Sequence, residues 1–186
     1  MSATAPQRRW AAELLHLWFA GLGFDDWFAT DSRLDALLRR RFARELASLA
    51  RRPAREFLSD PLTALAAVLL FDQLPRNLHR GSPRAYATDP LAREIAKGAL
   101  DRGWDRALMP QQRQFLAMPL MHSERIADQR RCVAIYVRLG PRYGWPFARS
   151  HHRMIARFGR FPHRNAVLGR ASSAAEKSAV AQGFAW

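Results

Sequence analysis

Residues 59–75 read SDPLTALAAVLLFDQLP, and they decide the fold because they offer water no face. Asp60 before Pro61 is a helix start: the carboxylate can cap free amides, and proline suits the first helical position. From Leu62 to Phe71 only Thr63 is polar. A helix that is apolar on every side belongs at the centre of a bundle. The run is too short to cross a bilayer and is bracketed by Asp60 and Asp72, so no membrane insertion is expected. Pro75 is expected to stop the helix. Asp72 and Gln73 then stand at its buried end, where burial obliges them to find partners.

The flanking segments supply the rest of the bundle. In RRWAAELLHLWFA, residues 8–20, Trp10, Leu14, Leu17 and Trp18 recur at helical spacing, and Gly21 and Gly23 end the helix. FDDWFATD, residues 24–31, reads as a connection in which Thr30 or Asp31 caps the next helix. Leu34, Leu37, Leu38, Phe42, Leu46 and Leu49 predict that helix over 31–51, with Arg39, Arg40, Arg41 and Arg44 largely off the stripe. Beyond the central helix, residues 75–90 read as a loop with one turn near Pro83, and Asp89-Pro90 opens a helix to about Arg102. Pro110 opens another, limited by Pro119. The next, from about Met121 to Leu139, carries His122, Ile126, Gln129, Val133 and Tyr136 on one face and closes at Gly140-Pro141. A helix over 147–158 points Phe147, His151, Met154, Ile155 and Phe158 inward, and Ser173 to Glu176 has capping-box spacing for a last helix. Strand alternation and hairpin signals are missing. The expectation is an all-α single domain over residues 1–186, with about seven or eight antiparallel helices and a loose tail at residues 1–7.

At 186 residues and 48% hydrophobic content, the chain is long enough to bury one sizeable core. Cys132 is the only cysteine, which excludes an intramolecular disulfide and speaks against thiolate zinc. The N-terminus lacks a secretory signal core, so a cytoplasmic protein is expected. The formal charge is +14, and of 30 basic residues only Lys97 and Lys177 are lysine. From Arg125 onward, eleven arginines and one lysine face only Asp128 and Glu176. A field of that sign draws nucleic acid, phosphorylated metabolites or anionic membrane surfaces.

Three segments carry a family resemblance: FDQLPRNLHRGSPRAYATDPLA at 71–92, PLMHSERIADQ at 119–129, and RFGRFPHRNAVLGR at 157–170. With the early Trp18-Phe19 and the Ser-x-x-Glu end, the chain resembles the uncharacterised bacterial proteins of domain-of-unknown-function family 924 along nearly its whole length. The resemblance implies an all-helical, tetratricopeptide-like fold and no established reaction. The chain departs from the family pattern at Arg125, where a more acidic residue is expected after HSE. It also departs at Ser172-Ser173, and at Leu74, where an aromatic is commoner.

The candidate site gathers these polar motifs. Arg160, His163, Arg164, Asn165 and Arg170 from 157–170, with His152, are expected to meet Asp72, Gln73, Arg76, Asn77 and Arg80 and the His122–Gln129 segment. Guanidinium forks suit phosphate or carboxylate, and His122, Glu124 or His163 can carry a proton. The same arginines can instead pair with Asp72, Asp89, Glu124 and Asp128 and merely brace loops. Glu124 can equally serve free amides at a helix start. Neither a metal site nor a cofactor is expected, since no short ligand spacing such as HExxH is present. The expected function is binding of an anionic small molecule, with possible catalysis. The alternative is a non-enzymatic scaffold that binds RNA or a partner protein through the basic C-terminal third.

Overall fold

The Asp60 carboxylate accepts from Thr63 N at 2.9 Å and from the Thr63 hydroxyl at 2.8 Å, which starts the central helix as Asp-Pro predicts. The structure is a computed structural model describing residues 9–183, so the tail expected over residues 1–7 lies outside the described residues. Ten α-helical segments occur among them: α1 (Arg9–His16), α2 (Phe24–Phe28), α3 (Ser32–Leu49), α4 (Pro61–Val68), α5 (Leu74–Leu78), α6 (Asp89–Asp101), α7 (Pro110–Met121), α8 (Ile126–Leu139), α9 (Trp145–Phe158) and α10 (Ala174–Ala181). No strand occurs among the described residues, and none of their helices is long and apolar enough to cross a membrane. Every residue from Thr63 to Pro75 is buried, and α1, α3, α6 and α7 pack around this rod. A small satellite cluster of Met154, Ile155, Phe161 and Ala179 joins α9, the 161–170 segment and α10.

Pro75 does not stop the central helix. Between α4 and α5 the chain makes one π turn, Leu69–Gln73, and then continues in α geometry through Pro75 to Leu78. Proline lacks the amide that would bond to the carbonyl four residues back, and its ring crowds that carbonyl. Widening the turn relieves the crowding, and the carbonyl in question, Phe71 O, accepts from the Thr88 hydroxyl at 2.6 Å. One extra residue in the turn is the usual mark of a π-bulge, a feature common at functional sites. Pro119 is also carried inside a helix, since α7 runs on to Met121.

Helix α8 begins at Ile126, later than its periodicity predicts, and His122 caps the end of α7. Ser123 causes the break by donating to Asp128 at 2.8 Å while accepting from Arg125 N at 3.2 Å. The segment expected as a connection contains α2, a short helix with no buried residue. Phe147, expected inward, is 55% exposed. Leu70, by contrast, is fully buried in the central rod. Leu70→Ala should therefore lower the unfolding free energy by about 2–5 kcal/mol, read as a lower urea midpoint with an unchanged m-value.

Candidate functional site

The π turn delivers Asp72 to the inner end of a cleft with no solvent exposure of its own. Its carboxylate meets His122 Nδ1 at 2.8 and 3.0 Å, Gln73 Nε2 at 2.5 Å and Arg76 Nη1 at 3.4 Å. Burial alone would raise its pKa, but Arg76, His122 and the hydrogen bonds from His122 and Gln73 hold it well below the ordinary carboxylate range. An ionised carboxylate only accepts, so the His122 proton sits on Nδ1. Nε2 then carries the lone pair and makes no hydrogen bond among the described residues. Burial and the nearby Arg76 lower the His122 pKa despite Asp72, so the ring is neutral near pH 7.

Arg76 is clamped at both ends. It donates to the Asp72 carbonyl and, as a fork, to both Asp89 oxygens at 2.9 Å. Arg164 is held differently. Its guanidinium lies 4.5 Å from the Phe161 ring centroid and 4.7 Å from that of Tyr86, and it donates to His122 O at 3.0 Å. Its nearest carboxylate, Asp89, is 3.6 Å away. Burial and Arg76 lower its pKa, the mark of a cation with too little negative charge around it.

Gln73, Arg76, Tyr86, His122 and Arg164 line a cleft of about 590 Å³. Its floor includes Gln73, Gln114, Met118, Met121, His151 and Arg164, all buried, while Phe24, Phe28, Arg80 and Phe147 stand exposed at the rim. No aspartate or glutamate lines it. A smaller hollow of about 330 Å³ lies behind the same wall of Tyr86, His122 and Arg164.

Of the residues expected at the site, Gln73, Arg76, Asn77, Arg80, His122, His163 and Arg164 border the main cleft, with Asp72 behind His122. Asn77 and Arg80 are both tied to Asp35, at 2.8 Å and 3.0–3.1 Å. The others brace the surrounding loops. Arg160 forks onto Glu176 at 2.6 and 3.0 Å and also donates to Ala171 O. Arg170 forks onto Glu124 at 2.8 and 3.0 Å, and Glu124 in turn accepts from Phe161 N at 2.8 Å. Glu124 borders only the smaller hollow. Asn165 is buried and donates to Ser172 at 3.0 Å. Gln129 donates to the carbonyls of Leu120, Met121 and Ser123, clipping the end of α7 to α8. Asp128 is taken by Ser123, Lys97 and Arg93, not by the C-terminal arginines. His152 does not border the cleft, whereas its neighbour His151 does. No three or more His, Cys, Asp or Glu side chains among the described residues are placed to hold a metal ion.

Sequence reasoning missed the aromatic rim and Gln114. The available signal was three aromatics, Phe24, Trp27 and Phe28, in a segment otherwise read as a connection. Exposed apolar clusters of that kind mark binding surfaces. Gln114 opens the otherwise apolar run QFLAMPL and gave a comparable hint.

The fold belongs to a recognisable class. The model of the family of bacterial proteins of unknown function, domain-of-unknown-function family 924, matches residues 14–183, and the chain belongs to that family. The chain is also similar to the solved structure of a protein of unknown function from Agrobacterium tumefaciens. The two are 39% identical, with a TM-score of 0.87 over 93% of this chain and 97% of that one. No curated protein matches the sequence.

His151 and His163 supply a pH test. Burial is the largest cause holding them down to about 3 and about 4, helped by His122 and Arg164. Both are neutral in the folded chain at pH 5, whereas unfolded histidine takes up a proton near pH 6.5. The unfolded state therefore binds more protons across that window, and stability falls as pH drops from about 6.5 to 4. In denaturant titrations at stepped pH, His151→Gln should flatten this slope by up to about 1.4 kcal/mol per pH unit. An unchanged slope would contradict the assignment.

Proposed function

We propose that the cleft binds a small molecule through an anionic group beside Arg164, and that the Asp72–His122 pair acts on it as a general base. The observation that carries this reading is the state of Arg164. It is buried between two rings, its nearest carboxylate is 3.6 Å away, and it borders a cavity lined by no acidic side chain. A phosphate or carboxylate placed there supplies the missing negative charge through charge-assisted hydrogen bonds. His122 is suited to accept a proton because Asp72 fixes its tautomer and its pKa is low enough to keep Nε2 unprotonated. The base and the anion anchor share one wall, since Arg164 bonds to the His122 carbonyl.

Phosphorylated and carboxylated metabolites should raise the melting temperature of the wild type by an amount that grows with the logarithm of ligand concentration above Kd. Arg164→Gln should lose the response. For any substrate so found, His122→Gln should keep binding and lose about 100-fold or more of turnover. A panel in which no anion gives an Arg164-dependent shift overturns the reading.

A second reading rests on Arg130, Arg138, Arg142, Arg149 and Arg153, which are exposed and form no ion pair among the described residues. They suit RNA held by the C-terminal third. Such binding should weaken with salt at a slope of about 0.7 per phosphate neutralised. Failure of RNA to bind at low salt would remove it. A protein partner rests on analogy with tetratricopeptide-like folds alone.

A further inference from the structure

We infer that the ligand of this cleft is amphiphilic: an anionic, oxygen-bearing head on the floor at Gln114 and Arg164, and a flat aromatic body against Phe28 and Phe147 at the rim. This rests on the anion reading above and narrows the ligand class.

Gln73, Gln114, His151 and Arg164 are buried in the floor beside Met118 and Met121, while three phenylalanines stand exposed at the rim beside Arg80. Three phenylalanines are the only large exposed aromatics among the described residues: Phe24 at 59%, Phe28 at 52% and Phe147 at 55%. All three border this one cleft. They come from two elements far apart in sequence, α2 and α9, so their clustering is not a local accident of one helix. Phe28 is also fixed in orientation, lying parallel to Phe115 at 6.4 Å and edge-on to Phe24 at 5.2 Å. Half its surface remains open for a further ring, and offset stacking or edge contact is the geometry such pairs favour.

Gln114 is the independent observation at the other end. Its side chain borders the cleft and the residue is only 5% exposed, yet its amide makes no hydrogen bond among the described residues. Only its backbone carbonyl is engaged, by the Tyr136 hydroxyl at 2.7 Å. The amide tip thus has donors free at the cleft, and a ligand oxygen would accept from them. The cleft volume of about 590 Å³ falls within the range that encloses molecules of this size.

Calorimetric titration of the full chain with matched probes tests the inference: inorganic phosphate against phenyl phosphate, acetate against phenylacetate, and benzyl alcohol as the uncharged control. In at least one pair the aryl anion should bind about tenfold or more tighter than its bare head group. Phe28→Ala should bring that ratio toward one, and Gln114→Leu should weaken the aryl anion. Should Phe28→Ala fail to fold, Phe147→Ala at its exposed position reads the same ratio. Equal affinity within both pairs overturns the amphiphile and leaves the anion reading standing. Benzyl alcohol binding as tightly as the aryl anions overturns the anion reading, and silence from all five probes overturns both. Phe28-dependent sedimentation with phosphatidylglycerol vesicles, without preference within either pair, would assign the rim to a lipid surface and overturn the inference.

Discussion

A carboxylate with no access to water stays ionised only if neighbouring groups replace its hydration. For Asp72 those neighbours are Arg76, His122 and Gln73, drawn from the central rod and the end of α7. Arg76 passes the constraint on to Asp89 at the start of α6, and Thr88 holds the Phe71 carbonyl just beside it. Buried ion pairs add little net stability over apolar packing, but breaking one by removing a single partner costs about 3–5 kcal/mol. The Asp72 network therefore acts chiefly on arrangement: it fixes where α6, α7 and the 79–88 loop meet the rod, and the cleft lies at that meeting point.

The basic C-terminal segment is divided between two tasks. Arg160 and Arg170 each fork onto one glutamate, and those glutamates also satisfy backbone amides at Ser173 and Phe161. The pairings close the 160–176 loop without strands or disulfides. Arg164, between them in sequence, turns the other way and lies between two rings at the cleft wall. A run of like charges is thus not one site: Arg160 and Arg170 are each taken by a glutamate at hydrogen-bond distance, whereas the nearest carboxylate to Arg164 is 3.6 Å away.

Much of this was legible in the residues themselves. The uniform apolarity of 62–71 placed that helix at the centre, and Asp60, Asp31 and Ser173 marked their helix starts correctly. Asp72 announced a buried partner, and His122 proved to be that partner. The misreadings share one cause, which is tertiary context. Pro75 and Pro119 are local breakers whose lost hydrogen bonds the tertiary structure absorbs, as the Thr88 hydroxyl shows for Phe71. Which arginine meets which acid depends on contacts such as Arg76 with Asp89, 13 residues apart, and Arg170 with Glu124, 46 apart, and no spacing rule encodes them. Phe147 has the periodicity of a core residue, and a pattern of hydrophobicity does not distinguish a core from a cleft rim.

The π turn has a consequence for how this chain tolerates length changes. One surplus residue within a helix advances everything after it by about 100° around the axis. Gln73, Arg76 and Asn77 face the cleft in the phase set by that surplus. Loss of a single residue between 69 and 73 would bring back the crowding at Pro75 and swing those side chains off the cleft. The register of the site is thus stored as a count of residues, separately from the identity of the side chains that form it.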